Sequence, residues 1–379
     1  MYSQLLVSAL VASAAATAVP HNQPQPNKGY SWGDKSPAAP TGANGKNQPF
    51  RFPLSNGFPN IQVPSDALTA IQKQAHGTLP NGALPKKIND TSATVLELIA
   101  FNEIFEVAYF TSLLGNITDG TFDVGKGAAK DIVVNAITAV QAQEELHALG
   151  ANAILATAGR TPIKPCEYKF PTTDFDSSIS LAATFTDVVL GTLQDALEAF
   201  GTDGDSELLA LIGSVIGQEG EQVGFYRNIG KKIPSALPFL TRSTAPFAYS
   251  ALNQVFIVPG SCPNANIIDI PIYEPLTVVT PPTAPEDTTV TFSIAKKAGV
   301  DVTKMSIVYI NQQNVPVSEP VRSVAEKDGQ ITFCADFPGE KNLMNGLTIA
   351  GLAMGAGPFA DVAAATAATK YGPGLIEIN

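Results

Sequence analysis

AQEELHALG, residues 142–150, decides how the rest of the chain is read. Glu144 and His147 stand three residues apart, so on a helix both project from one face. A carboxylate and an imidazole at that spacing can hold a metal ion from a single helix. The flanking sequence predicts such a helix from about Ala128 to Ala158. Val133, Ile137, Val140, Glu144, His147, Ala151 and Ile154 recur there at steps of three and four. An acid and a histidine in the middle of an apolar stripe are costly unless they are paired or bound to a cation.

Three more long segments share that periodicity. One runs from about Ala93 to Leu114, with Leu96, Glu103, Val107, Phe110 and Leu114 on one face. Another runs from about Ser178 to Phe200, with Ala182, Thr186, Val189, Leu193 and Leu197. The last runs from about Ser206 to Ile229, with Leu208, Ile212, Val215, Glu219, Gln222 and Tyr226. Four helices of this length predict a bundle, and the connection of about 20 residues before the third suits a crossover. Ser65 is the expected cap of a short helix ahead of the bundle. Glu103 is mid-stripe on the first long helix, with Glu106 one turn on and Tyr109 beyond. A dimetal carboxylate bundle takes a Glu from each of two helices and Glu-x-x-His from each of the other two.

The fold class expected is therefore α+β: a four-helix bundle followed by a small antiparallel β-sandwich. Residues 61–270 make the helical part, and residues 233–270, rich in proline, read as irregular chain wrapped around it. From about residue 271 the period falls to two. TTVTFSIA (288–295), KMSIVYIN (304–311), QITFCADF (330–337) and GLTIAGLAM (346–354) read as strands, and EKDGQ as a turn. Residues 271–379 are thus the sandwich, with the Ala-rich AAATAAT left open between helix and strand.

The N-terminus reads as a targeting segment. Residues 1–18 have a short apolar core, Leu5 to Ala12, and Ala16-Thr17-Ala18 fits the small-x-small cleavage rule. Residues 19–60 are rich in Pro, Gly, Asn and Gln, which suits an extended arm around Trp32. No later segment reads as long and apolar enough to span a membrane, so none is expected after cleavage. Asn89-Asp90-Thr91 and Asn116-Ile117-Thr118 are glycosylation sequons, in keeping with a secreted, extracellular or cell-wall protein. Of the three cysteines, Cys166 and Cys262 lie in similar turn-like settings and are the expected disulfide, leaving Cys334 over; three free thiols are the alternative. Charged residues are 15% of the chain and the formal net charge is −11, with no basic block, which excludes nucleic acid as a partner.

The chain resembles the ferritin-like superfamily in NEIFEVAYF, AQEELHALGA and GQEGEQVGFYR. More narrowly it resembles a group of secreted fungal ferritin-like proteins, the late sexual development proteins, through AFNEIFEVAYF, AQEELHALGAN, IKPCEYKFP, TFTDVVLGTLQDAL, IGQEGEQVGFYRNIGK and PGSCPN. The resemblance implies a ferritin-like bundle with metal ligands at Glu103, Glu144, His147, Glu219 and Gln222. Two departures follow. The second Glu-x-x-His reads Glu219-Gly220-Glu221-Gln222, and the third-helix Glu falls on Thr186, with Asp187 turned about 100° away. The other histidines of the chain, His21 and His76, both precede the bundle. The remaining set suits one Fe, Mn or Zn ion, or a metal-free network of shared protons, with Glu106 or Glu221 as further members.

Three functions are weighed on that basis. The first, and the preferred one, is a non-enzymatic wall or matrix protein of fungal reproductive tissue, touching cell-wall polysaccharide or a matrix protein. The second is a metal-dependent oxidoreductase using oxygen or peroxide. The third is carbohydrate binding by the sandwich, which has few aromatics to offer: Phe292, Tyr309, Phe333 and Phe337. Other schemes lack their residues: no G-x-S-x-G elbow precedes His147, and no Gly-rich phosphate loop sits between strand and helix.

Overall fold

Asp90–Thr118 (α2) is the axis of the helical part, and it is covered on nearly every side. Its residues from Ser92 to Ile117 are nearly all buried. In the computed structural model, which describes residues 48–378, α2 reaches the length and apolarity of a membrane span, contrary to expectation. Of that window 89% is buried inside the protein, so it is a core helix by packing. The expected leader (1–18) and most of the arm, with His21 and Trp32, lie outside the described residues.

Around α2 pack Ala128–Thr157 (α3), Phe175–Asp203 (α4) and Leu209–Ile229 (α5). Their ends have local causes. Asp174 and Ser177 form a reciprocal capping box at the start of α4, and Gly204 ends it in the left-handed region at φ 85°. Asn89 ties the start of α2 to the end of α4, donating to the Asp203 carbonyl at 2.8 Å. A short helix, Asp66–Gln74 (α1), is capped by Ser65, whose Oγ accepts from the Leu68 N–H at 3.0 Å. Leu68 and Ile71 of α1 pack on Ala142 and Leu146 of α3.

Two expectations for the helical part are corrected. Residues 48–60 are not a free arm: Phe50, Leu54 and Phe58 are buried, and Phe50 exchanges two backbone hydrogen bonds with Tyr168 in the crossover. The proline-rich stretch after α5 is not wholly irregular, because Ala245–Val255 forms a helix (α6). Pro246 stands in its first turn, where a proline lacks no hydrogen bond it would otherwise make. The Cys166–Cys262 disulfide joins the crossover to the chain after α6, and Cys334 is free.

The C-terminal part has two four-stranded antiparallel sheets. The strands are Thr277–Val278 (β1), Asp287–Ala295 (β2), Met305–Asn311 (β3), Val317–Pro320 (β4), Arg322–Lys327 (β5), Gln330–Pro338 (β6), Gly346–Met354 (β7) and Thr369–Ile378 (β8). One sheet has the order β1-β2-β6-β5, the other β4-β3-β7-β8. Phe292, Ile294, Phe333 and Phe337 meet Ile307, Tyr309, Leu352 and Ile376 between them. Asp328 and Gly329, both at positive φ, make the two-residue β5–β6 turn. AAATAAT is the helix Val362–Ala368 (α7) running directly into β8. The sequence did not mark β1, β4, β5 and β8. They are short, exposed or, in β8, interrupted by Gly372, Pro373 and Gly374, which an edge strand tolerates.

Strands β3 and β7 are buried on both faces. Their outer face packs on the helices: Ile310, Leu347 and Ile349 meet Val188 of α4 and Phe247 and Ala248 of α6. Gly191 on α4 permits close backbone approach there, since a Cβ would lie 2.4 Å from the Thr241 carbonyl oxygen.

Candidate metal centre

His147 brings the helices' acids to one point. Its Nδ1 lies 2.8 Å from Glu144 Oε2 on the same helix, 3.4 Å from Glu103 Oε2 on α2 and 4.0 Å from Glu219 Oε1 on α5. One donor atom from each of these four residues falls within 4.8 Å of every other. All three carboxylates are fully buried, while the imidazole keeps 16% of its side chain exposed. Among the described residues, neither oxygen of Glu103 nor either of Glu219 has a hydrogen-bond donor. Buried carboxylate oxygens short of hydrogen-bond donors, gathered about an imidazole, are what a cation satisfies, and carboxylate with imidazole suits Mn, Fe or Zn.

The electrostatics point the same way. Burial pushes the Glu103 carboxyl up to about 7, against the pull of His147. Burial, then Glu103 and Glu144, hold Glu219 well above the usual range. Glu106 is raised likewise by burial and then by Glu144, Glu219 and Glu103. Burial disfavours a charged His147, but Glu144 and Glu103 outweigh it and its pKa is raised well above the ordinary value. Without a cation this cluster keeps protons that it would otherwise have released, and its members titrate together.

Gln222 stands where a second histidine would, and its amide is engaged on both sides. Its Nε2 donates to Glu144 Oε1 at 2.6 Å, and its Oε1 accepts from the Tyr226 hydroxyl at 3.3 Å. Thr186 is buried, with its hydroxyl unpartnered. The family model for the ferritin-like domain matches residues 91–232. This part of the chain is a ferritin-like domain. No curated protein matches the chain. Set against the four-helix carboxylate pattern, Glu103, Glu144, His147 and Glu219 could hold one ion, while an amide and a hydroxyl stand where a second imidazole and carboxylate would be.

The other acids separate. Glu106 is buried beside the centre, with Asn102 donating to it at 3.1 Å and Oε2 unpartnered. Its place was readable from its one-turn spacing to Glu103. Glu221 is exposed and takes no part. Glu145 is buried away from the centre, accepting from Asn56 at 2.8 Å, and burial pushes it up to about 7. Because this raised value lies above the unfolded one, Glu145 costs stability as pH climbs from about 4.5 to about 7. Glu145→Gln is expected to stabilise the fold by about 1–3 kcal/mol at pH 8, with the gain fading by pH 4, in denaturant titrations at both values. Of the sequon residues, Asn89 is exposed just before α2, and Asn116 is half-buried in its last turn.

A cavity of about 470 Å³ opens beside the centre. It runs between α2, α3, α5 and the loop 75–84, with Glu103 and His147 in its wall. Nothing in the sequence marks it, since it forms from one face of each of three helices.

Proposed function

We propose that this is a secreted protein whose ferritin-like domain holds one iron or manganese ion and acts as an oxidoreductase on a small molecule, with oxygen or peroxide as oxidant. Glu103, Glu144, His147 and Glu219 would hold the ion, which supplies redox chemistry when bound. The observation that carries the reading is His147 Nδ1 facing three buried carboxylates, two of them with no hydrogen-bond donor. The cavity beside the centre supports an enzyme over a purely structural role, because a scaffold has no use for an opening onto buried acids. Metal analysis of protein secreted by a fungal host, dialysed against metal-free buffer, tests it. About one equivalent of iron or manganese is expected. None would return the centre to a proton-sharing network, and two would overturn the one-ion assignment.

The cellular setting rests on the resemblance to fungal late sexual development proteins: the wall or matrix of reproductive tissue, reached through the leader, with glycans at Asn89 and Asn116. The Cys166–Cys262 disulfide agrees with an oxidising compartment. A wall or matrix scaffold is the second reading, favoured by Gln222 and Thr186 at the second-ion position. Carbohydrate binding by the sandwich loses support, because Phe292, Tyr309, Phe333 and Phe337 are fully buried.

A further inference from the structure

The cavity beside the centre has two unlike ends. Its far part is aliphatic: Leu96 and Ile99 of α2, Ile154 of α3, and Leu211 and Val215 of α5, closed by Leu79 of the loop. Each helix then turns polar toward the centre, at Glu103, His147 and Gln218 respectively. The volume, about 470 Å³, is that of a site for a small organic molecule.

The polar end states which group it takes. Gln143 Nε2 donates to the Ala75 carbonyl at 3.3 Å, so its Oε1 is the atom that accepts from Gln218 Nε2 at 2.9 Å. That pairing leaves Gln218 Oε1 as a buried acceptor with no donor among the described residues. Glu103, in the same wall, also has two acceptor oxygens without donors. A ligand entering here must therefore bring a hydrogen-bond donor. It must not bring negative charge, because an anion would add acceptors to a wall whose Glu103 and Gln218 oxygens already lack donors. A cationic head on an aliphatic chain would compete with the metal for Glu103, whereas a hydroxyl need only donate. We infer that the cavity binds a neutral aliphatic alcohol, chain in the apolar slot and hydroxyl toward Gln218 and Glu103. The binding stands on the cavity; the alcohol's role as substrate rests on the oxidoreductase reading above.

Calorimetric titration of the full-length secreted protein with 1-octanol, sodium octanoate and octylamine tests this, with metal content measured on the same samples. Saturable 1-octanol binding is expected, with octanoate and octylamine weaker by at least about tenfold. Val215→Phe fills the slot and is expected to abolish octanol binding while metal content and melting temperature hold. Leu211→Phe serves if that variant does not fold. Gln218→Leu is expected to weaken octanol binding by about fivefold to tenfold, since it removes the acceptor and keeps the apolar wall. No saturable octanol binding, undiminished binding in a folded filled-slot variant, or equal or tighter binding of octanoate or octylamine would each overturn the inference. Octanol binding to protein that never retains metal would uphold the cavity and overturn the oxidoreductase reading alone.

Discussion

Glu219→Gln is expected to weaken metal binding by at least about 100-fold and, in chelator, to make the protein more stable than the parent. The two effects have opposite signs for one reason. Glu219 is fully buried, and neither of its oxygens has a donor among the described residues. With a cation bound as proposed, that carboxylate would be a ligand and its charge offset. In the metal-free protein the same charge faces Glu103 and Glu144, which, after burial, are what raise its pKa. The unfolded chain gives up the Glu219 proton at the ordinary carboxylate pKa. The folded, metal-free protein gives it up only at a higher pH, so the fold loses stability as pH rises through that interval. A neutral glutamine removes that loss. Relief of about 1–3 kcal/mol is expected in chelator at pH 8, and little at pH 4, where the carboxyl is protonated in both states. Metal affinity should follow the reverse course in the parent, falling as acid protonates Glu103, which is pushed up to about 7. Metal analysis after dialysis and thermal melts in chelator at the two pH values measure both effects. A variant that retains a full equivalent of metal, or that melts lower than the parent in chelator at pH 8, would show that Glu219 is not an uncompensated ligand.

The centre was legible in the sequence where a polar residue interrupts an apolar stripe. Glu103, Glu144, His147 and Glu219 each do so, and the structure brings the four together. Glu145 was not legible, because helix α3 buries more than one stripe: beneath Asn56, a position that reads as a solvent face is covered by residues 50–60. That cover was itself hidden, since a proline-rich composition says nothing of Phe50 pairing with Tyr168. In the sandwich, β2 and β6 alternate as a half-buried strand should, and were read to within a residue. Strands β3 and β7 were found by their apolar content, although they do not alternate, because the helices cover the face that would otherwise meet water. Strand bounds belong to the local sequence whether one partner covers the element or two, but the burial of an acid such as Glu145 belongs to it only when one does. Where two do, tertiary packing decides, and the cavity is the extreme case, being made by helices distant in the chain.

Replacing Cys166 and Cys262 together by alanine is expected to cost about 3–5 kcal/mol of stability. The bridged residues are 96 apart in sequence, so the closed loop contains α4, α5 and α6. Freeing a loop of that size lets the unfolded chain expand, and the entropy gained there sets most of the cost. The folded state contributes less, because the crossover has other ties. Tyr168 pairs with Phe50 and with Ile257, Lys169 donates to the Phe256 carbonyl at 2.9 Å, and Val258 donates to that of Glu167 at 3.0 Å. Phe105 of α2 packs on both Tyr168 and Phe256, which fixes the two segments against the bundle without the covalent link. The native structure around Glu103 and Glu144 should therefore survive, and bound metal should be unchanged below the melting transition. Denaturant titration would show a lower midpoint together with a steeper slope, since the uncrosslinked chain exposes more surface on unfolding. Reduction of the parent should reproduce both changes, and a Cys334→Ala control should reproduce neither, that thiol being free. A double variant within about 1 kcal/mol of the parent would mean that the unfolded chain is already held compact by other contacts. Loss of metal without loss of stability would instead place the bridge among the supports of the centre, which the hydrogen bonds of the crossover argue against.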